Sequence, residues 1–436
     1  MVTYSIIQKS QLEGATRLDA EYYQPLYLQI AQQIRQQKAD VRKLKDLIVS
    51  PVITGTTPKQ RACKGDSSDI KFIKTDVLRD GEIDFDSADC LPEVQNRKSS
   101  QPKAGDVLTT IIGADYPIVG RSALIFPENP TMNINQNVVR IRPKDSLLPE
   151  YLISFIRSKF GIMQLWQQSR QTEQVNLNCR EVENILIPVY PLVIQKLFIQ
   201  LVINAKTEKD LSISYYQQAE KLLLEELGLA DFKPREDLSF VTNLSEVADA
   251  SRVDADFFQP KYEELIAKLK EQNVRTLTEV VQNVDARFNP INFSDKEFQY
   301  VELANINSSI GVIDGSDDVL GKEAPSRAKR VLKSGDVIVS TVEGSLEKVA
   351  LVSEDQNDYL ASTGFFQFRS KEILPEALLI LAKSIVLQIQ LKRHCAGTIL
   401  TAVPSEALQK TVLPILPKET QEKITDLVRK SHEARK

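Results

Sequence analysis

The sequence predicts an α+β protein: two similar α/β domains joined by long helices that form an antiparallel coiled coil, with a pseudo-two-fold internal repeat. Three observations predict it. First, blocks of the first half return in order in the second. RLDAEYYQP from Arg17 answers RVDADFFQP from Arg252, an offset of 235; GDVLTTIIG from Gly105 answers GDVIVSTVEG from Gly335, an offset of 230. LPEYL at Leu148 and IPVYPLVIQ at Ile187 answer LPEAL at Leu374 and LPILPKETQ at Leu413, both at 226. A slowly drifting offset is what loop-length changes in a duplicated unit produce. Second, each copy mixes helical stripes with short β-branched runs bounded by Gly, Asp and Pro. Third, Leu192 to Leu227 contains neither Gly nor Pro and separates the copies. The expected segments are 1–190, a first domain with its N-terminal helix; 191–230, a central helix; 231–416, a second domain; and 417–436, a short C-terminal helix.

Each copy opens on an Asp-aromatic-Gln-Pro element. Pro25 and Pro260 suit the first helical position, where a missing N–H costs nothing. Leu26, Ile30 and Ile34, then Tyr262, Leu265, Ile266 and Leu269, continue at helical spacing. Strands of a small mixed or antiparallel sheet follow at Lys71–Lys74, Asp106–Ile112, Ser122–Phe126 and Asn137–Arg142. Their counterparts are Gln299–Leu303, Asp336–Val342, Val349–Val352 and Phe365–Arg369. Leu148–Gln167 and Leu374–Lys392 read as one helix each.

The central helix carries Ile194, Leu197, Leu201, Asn204, Glu208, Leu211, Tyr215, Gln218 and Leu222 at alternating steps of three and four. Such spacing forms a heptad-like seam, in which Asn204, Glu208 and Gln218 can fix register. The helix spans roughly 54 Å at 1.5 Å per residue, and Gly228 supplies its stop. The alternative is a surface helix folded on one domain. Its symmetry mate begins after Pro417 with Gln421, Ile424, Leu427 and Val428, but is about half as long; the helix after Pro25 is a candidate for the missing length.

Fifty-five basic against 59 acidic residues give a net charge of −4, and 42% of residues are hydrophobic. That excludes a disordered chain and a generically basic nucleic-acid coat, so any nucleic-acid surface must be local. Four cysteines without a CxxC pair, and two histidines, argue against zinc or a disulfide framework and for a reducing compartment. The start lacks a signal-peptide core, and Pro188, Pro191, Gln195 and Lys196 break the most apolar stretch, so a soluble, cytoplasmic protein is expected.

Catalytic patterns are absent. GSDDVLGKE from Gly315 has five residues between its glycines and Glu323 where a phosphate loop needs Ser or Thr. NPTM at Asn129 and NPIN at Asn289 are not the Asn/Asp-Pro-Pro-aromatic motif of amino-methyltransferases. His394 beside Cys395 has no orienting acid and no counterpart in the first copy, so a structural or solvent-facing role is preferred over a nucleophile pair. No cofactor, metal or catalytic residue is expected. What does recur is charge. Arg97, Lys98 and Lys103 precede the first GDV; Lys322, Arg327, Lys329, Arg330 and Lys333 precede the second, with Arg97 aligned to Arg327 and Lys103 to Lys333. Equivalent basic loops on equivalent domains can touch phosphates twice, although solvated loop charge is the plainer reading of either alone.

These residues resemble the specificity subunit of type I restriction–modification systems. The markers are RLDAEYYQP, TGTTP at Thr54, FIKTDVLRDGEID at Phe72, GDVLTTIIG with GRSAL, NQNVVRIRP at Asn135, LPEYL, and IPVYPLVIQ running into the long helix, repeated more loosely in the second copy. The resemblance implies a DNA-binding, non-catalytic subunit of a restriction endonuclease and adenine methyltransferase complex. Each of its two target-recognition domains would read half of a bipartite double-stranded target. Its helices would set the gap and dock modification subunits, and motor-nuclease subunits would complete the enzyme. Copy two departs at VDARFNP, which stands where TGTTP does, and in its short last helix. Candidate DNA contacts are the basic-loop residues Arg97, Lys98, Lys103, Arg327, Lys329, Arg330 and Lys333. Further candidates are Lys59, Arg61, Arg121, Arg170 and Gln174, then Arg287, Asn289, Lys348, Arg393 and Thr398, of which Arg, Asn and Gln can make bidentate base contacts. The alternatives are a recognition subunit of a related non-type-I restriction system and a non-catalytic, protein-binding adaptor.

Overall fold

The repeat seen in the sequence is a repeat of strand order. The computed structural model describes residues 4–10, 12, 17–58, 70–79, 81–113, 118–171, 175–396 and 401–436. The chain divides into two units, Met1–Ala205 and Lys206–Lys436. In the first, α1 (Pro25–Arg35) leads to β1 (Asp40–Lys43), β2 (Ile53–Thr54) and β3 (Lys71–Ile73). Then come β4 (Val107–Thr110), β5 (Ser122–Leu124), β6 (Met132–Ile134) and β7 (Val138–Ile141), helices α2 (Pro149–Arg157) and α3 (Lys159–Gln168), and β8 (Leu186–Val189). The main sheet has order β2-β7-β4-β5, all antiparallel. A second sheet pairs β3 with β6 in parallel, Lys71 opposite Met132. A two-stranded ribbon joins β1 to β8.

The second unit repeats this plan. Its α5 (Pro260–Lys270) follows the central helix α4 (Leu192–Glu226), and its strands are β9 (Val274–Thr276), β10 (Val281–Asn283), β11 (Glu297–Val301), β12 (Asp317–Leu320) and β13 (Ala328–Val331). They continue as β14 (Val337–Ser340), β15 (Val349–Leu351), β16 (Leu360–Ser362) and β17 (Phe365–Ser370), then α6 (Pro375–Lys383), α7 (Ile385–Arg393), β18 (Val412–Pro414) and α8 (Lys418–Arg435). The order β10-β17-β14-β15 matches the first unit's main sheet, β11 pairs with β16 in parallel, and β9 joins β18. Each unit keeps its own core, around Leu152, Ile156 and Ile187 in one and Val337, Leu381 and Leu413 in the other.

Four polar clasps recur, and they explain much of the repeated sequence. Asp106, 1% exposed, accepts a bidentate pair from Arg142 (2.7 and 2.6 Å) and the Lys103 N–H; Asp336, also 1% exposed, does the same with Arg369 and the Lys333 N–H. The preceding Gly105 and Gly335 have φ of 85° and 84°, a left-handed turn that favours glycine. GD is therefore a turn clasp. Gln164 and Gln390 each exchange two hydrogen bonds with one strand residue, Leu186 and Val412. Gln195 and Gln421 accept from the N–H of Leu148 and Leu374, closing the start of α2 and α6. Arg17 and Arg252 pair with Asp19 and Asp254 and donate to the carbonyls of Ser169 and Cys395, just after α3 and α7.

Two expectations are corrected. The helices read as Leu148–Gln167 and Leu374–Lys392 are each broken, at Ser158 (ψ 161°) and Ser384 (ψ 165°). Each serine caps the next helix, accepting from Gly161 N and Val386 N. The second correction is the phase of α4. Its buried residues are Gln195, Ser212, Tyr216, Ala219 and Leu223, while Ile194, Leu197, Leu201 and Leu211 are 40–65% exposed. The inward face lies one residue, about 100°, from the predicted seam. Phe198 and Val202 pack on the first unit's core. Tyr216, Ala219 and Leu223 join Ile424 and Val428 of α8 in the second. Ser212 exchanges hydrogen bonds with Ser431, and Thr420 reaches Glu226, so α8 runs antiparallel to that stretch of α4. The helix after Pro25, α1, packs on α3 and β8 within its own unit.

Candidate nucleic-acid interface

The loop before the first GD turn is fixed from beneath and charged on top. Buried Asn133 on β6 donates to the carbonyl of Arg97 and to Asn96, while Ser100 donates to Asn133 Oδ1. Arg140, 5% exposed on β7, donates to the Ser99 carbonyl and to Ser50 Oγ. These bonds hold the backbone and leave the side chains of Arg97, Lys98 and Lys103 exposed. Arg121, at the edge of β5, is half-buried. Arg170, beyond α3, is exposed and lies 3.6 Å from Glu181. Lys59, Arg61 and Gln174 lie outside the described residues.

In the second unit the corresponding segment is a strand. β13 pairs with β16, the Thr363 N–H donates to the Arg327 carbonyl, and Gln367 donates to the Val331 carbonyl. Alternation then decides which side chains face water. Arg327 and Lys329 are exposed, whereas Arg330 is 7% exposed and donates to the Val284 carbonyl. Arg330 is thus turned into the fold, where burial lowers its pKa. The Phe288 N–H donates to the Lys329 carbonyl at 3.1 Å. That bond brings Arg287 and Asn289, from a loop some forty residues earlier in the chain, beside Arg327 and Lys329. Arg287 is exposed and pairs with Asp285 at 2.6 Å; the Asn289 side chain accepts from Ile291 N.

Other candidates fall elsewhere. Lys333 sits at the GD turn paired with Asp358 at 2.6 Å, and Lys348 donates to the Ile306 carbonyl at 2.8 Å. Arg393, at the end of α7, pairs with Glu263 and lies over the rings of Phe257 and Tyr262. It belongs to the helical packing around α5. Thr398 lies outside the described residues. The Arg287 loop also carries Ile291, Phe293 and Lys296, on an Asn-Pro turn that was not singled out from the sequence as a contact surface.

Among the described residues, no group of three or more His, Cys, Asp and Glu could hold a metal ion, and no helix is long and apolar enough to cross a membrane. Burial lowers His394 to about 4 and raises the Cys395 thiol to about 11, so neither is ionised at neutral pH.

Residues 36–201 match the family model described as type I restriction modification DNA specificity domain. The resemblance read from the sequence is borne out there. No curated protein matches the chain. Among solved structures, the HsdS subunit from Thermoanaerobacter tengcongensis is 33% identical over 35% of this chain and 40% of that one, with a TM-score of 0.33. The type I restriction–modification S subunit from M. genitalium is 11% identical over 91% of both chains, with a TM-score of 0.43. A structure describing complex assembly and conformational transition of a type I R-M system is 16% identical over 91% of both chains, with a TM-score of 0.30.

Proposed function

From a first unit that matches a type I restriction modification DNA specificity domain, we propose that this chain is the DNA specificity subunit of a type I restriction–modification enzyme. Each unit reads one half of a bipartite double-stranded target. The carrying observation is the duplication of a basic segment directly before a clasped GD turn, Arg97–Lys103 in one unit and Arg327–Lys333 in the other. Because Arg97, Lys98, Arg327 and Lys329 are exposed on backbones pinned by other residues, they suit phosphate contacts that set register, leaving base reading to neighbouring loops. The loops are alike in position and unlike in sequence, which suits two different half-sites.

In this reading α4 sets the gap, and its outward stripe, Ile194, Leu197, Leu201 and Leu211, docks methyltransferase subunits. Motor-nuclease subunits complete the assembly, and methyl transfer and cleavage are theirs. The test is methylome sequencing of cells expressing this chain with its methyltransferase. A new motif of two short specific blocks separated by unspecified bases is expected. A contiguous motif, or none, overturns the reading.

A further inference from the structure

The Arg287 loop of the second unit holds two large apolar side chains in water, and holds them rigidly. Pro290–Phe293 form a short 3-10 turn capped by Asn289. Gly321 packs against it so closely that a Cβ there would lie 2.5 Å from the Pro290 carbonyl oxygen and 2.2 Å from that of Phe293. The N–H groups of Gly321 and Lys322 donate to the carbonyls of Lys296 and Ser294, fixing the far side of the loop. Phe293 stacks on Phe288 with centroids 5.6 Å apart and planes at 8°, and Phe288 meets Phe298 edge-on at 5.7 Å. Phe298 belongs to a buried cluster with Tyr300 and Leu360. Yet Ile291 is 63% exposed and Phe293 is 51% exposed.

An aromatic column rooted in the core, ending in exposed apolar groups, is a preorganised contact surface. Its surroundings select the partner. The Phe288 N–H donates to the Lys329 carbonyl, so the column stands beside the exposed side chains of Arg327 and Lys329, the cations assigned above to phosphate contacts. That proximity makes the partner of the phosphate contacts, a DNA duplex, the partner of the apolar groups as well. On a DNA duplex the apolar group presented on base edges is the thymine 5-methyl in the major groove. We propose that Ile291 and Phe293 are base-contacting residues that pack on thymine methyl groups of the half-site read by the second unit.

The inference rests on the reading of the chain as a DNA specificity subunit, and its test separates the two. The bipartite motif is first mapped by methylome sequencing; synthetic duplexes of that motif then replace each thymine in turn by uracil, which removes the methyl and nothing else. With the chain bound to its methyltransferase, affinity is expected to fall about fourfold at one or more thymines of one half-site, the worth of one buried methyl. The double variant Ile291→Ala, Phe293→Ala is expected to bind the motif about tenfold or more weakly and to lose the uracil effect. Its affinity for random-sequence duplex and its salt slope should stay unchanged, since phosphate contacts are kept. Absence of any motif fails the functional reading. A motif bound equally well with uracil throughout, or bound undiminished by the double variant, overturns this inference and leaves the functional reading standing. The uracil arm uses the unaltered chain, so folding of the variant does not decide it.

Discussion

Arg330 and its neighbours show how far one position along a strand changes what a charge can do. Arg327 and Lys329 are exposed, while Arg330 is buried and donates to Val284. Replacing Arg327 and Lys329 together by Ala should leave the thermal midpoint near its original value and weaken DNA binding across all sequences. The slope of log affinity against log salt should fall by about 0.9 per lost phosphate contact. Arg330→Ala should do the reverse. It strips a buried carbonyl of its donor and costs about 1–3 kcal/mol of stability, read by denaturant or thermal unfolding, with DNA affinity per folded molecule little changed. The run KEAPSRAKRVLK contains the charges plainly. Its strand phase was illegible, because the pairing partner β16 lies some thirty residues away.

His394 makes a second residue-scale prediction. Burial, with Arg393, Lys410 and Arg252 nearby, depresses its pKa to about 4, below the about 6.5 of an unfolded chain. Between those values the unfolded chain binds a proton that the folded chain refuses, so stability rises with pH through the window and is lost as pH falls from 6.5 towards 4. The loss is on the order of 1–2 kcal/mol once partial exposure is discounted. His394→Asn should flatten unfolding free energy over that window, and an unchanged slope would rule out His394 as its source.

At the scale of elements, legibility followed the physics of each signal. Pro25, Pro149, Pro260 and Pro375 all open helices, because proline fixes φ without reference to distant chain. The breaks at Ser158 and Ser384 were hidden. Apolar residues continue through both at helical spacing, and the serine cap looks like any other serine. The phase of α4 was hidden for another reason: it carries two apolar stripes about 100° apart, and the sequence does not say which faces its own chain. The inner one packs through Phe198, Val202, Tyr216 and Leu223. The outer one, Ile194, Leu197, Leu201 and Leu211, is exposed. Leu197→Asp with Leu201→Asp should therefore leave the thermal midpoint within a few degrees while abolishing co-purification with the methyltransferase, by disrupting an apolar helix-packing seam. Retained co-purification would place the docking surface elsewhere.

For the whole molecule the question is what the 35-residue helix α4 does. Its contacts divide cleanly. Gln195, Phe198 and Val202 serve the first unit, while Ser212, Tyr216 and Leu223 serve the second. None of these anchors falls between Ile203 and Leu211, where the insertions are placed. Inserting seven residues adds about 10.5 Å of helix and turns it by nearly two full turns, keeping both anchoring faces in phase. At about 3.4 Å per base pair, the gap between half-sites should lengthen by up to about three pairs while both half-sites stay the same. Inserting five residues adds about 7.5 Å but rotates the second anchoring face well out of phase, and should abolish recognition altogether. Motif mapping of both variants with the methyltransferase distinguishes length from phase. A seven-residue variant that methylates the original gap would mean that α4 does not set the spacing. Altered half-sites would mean that the helix also shapes the reading surfaces. A longer gap with intact half-sites is the outcome expected if α4 sets the spacing proposed above.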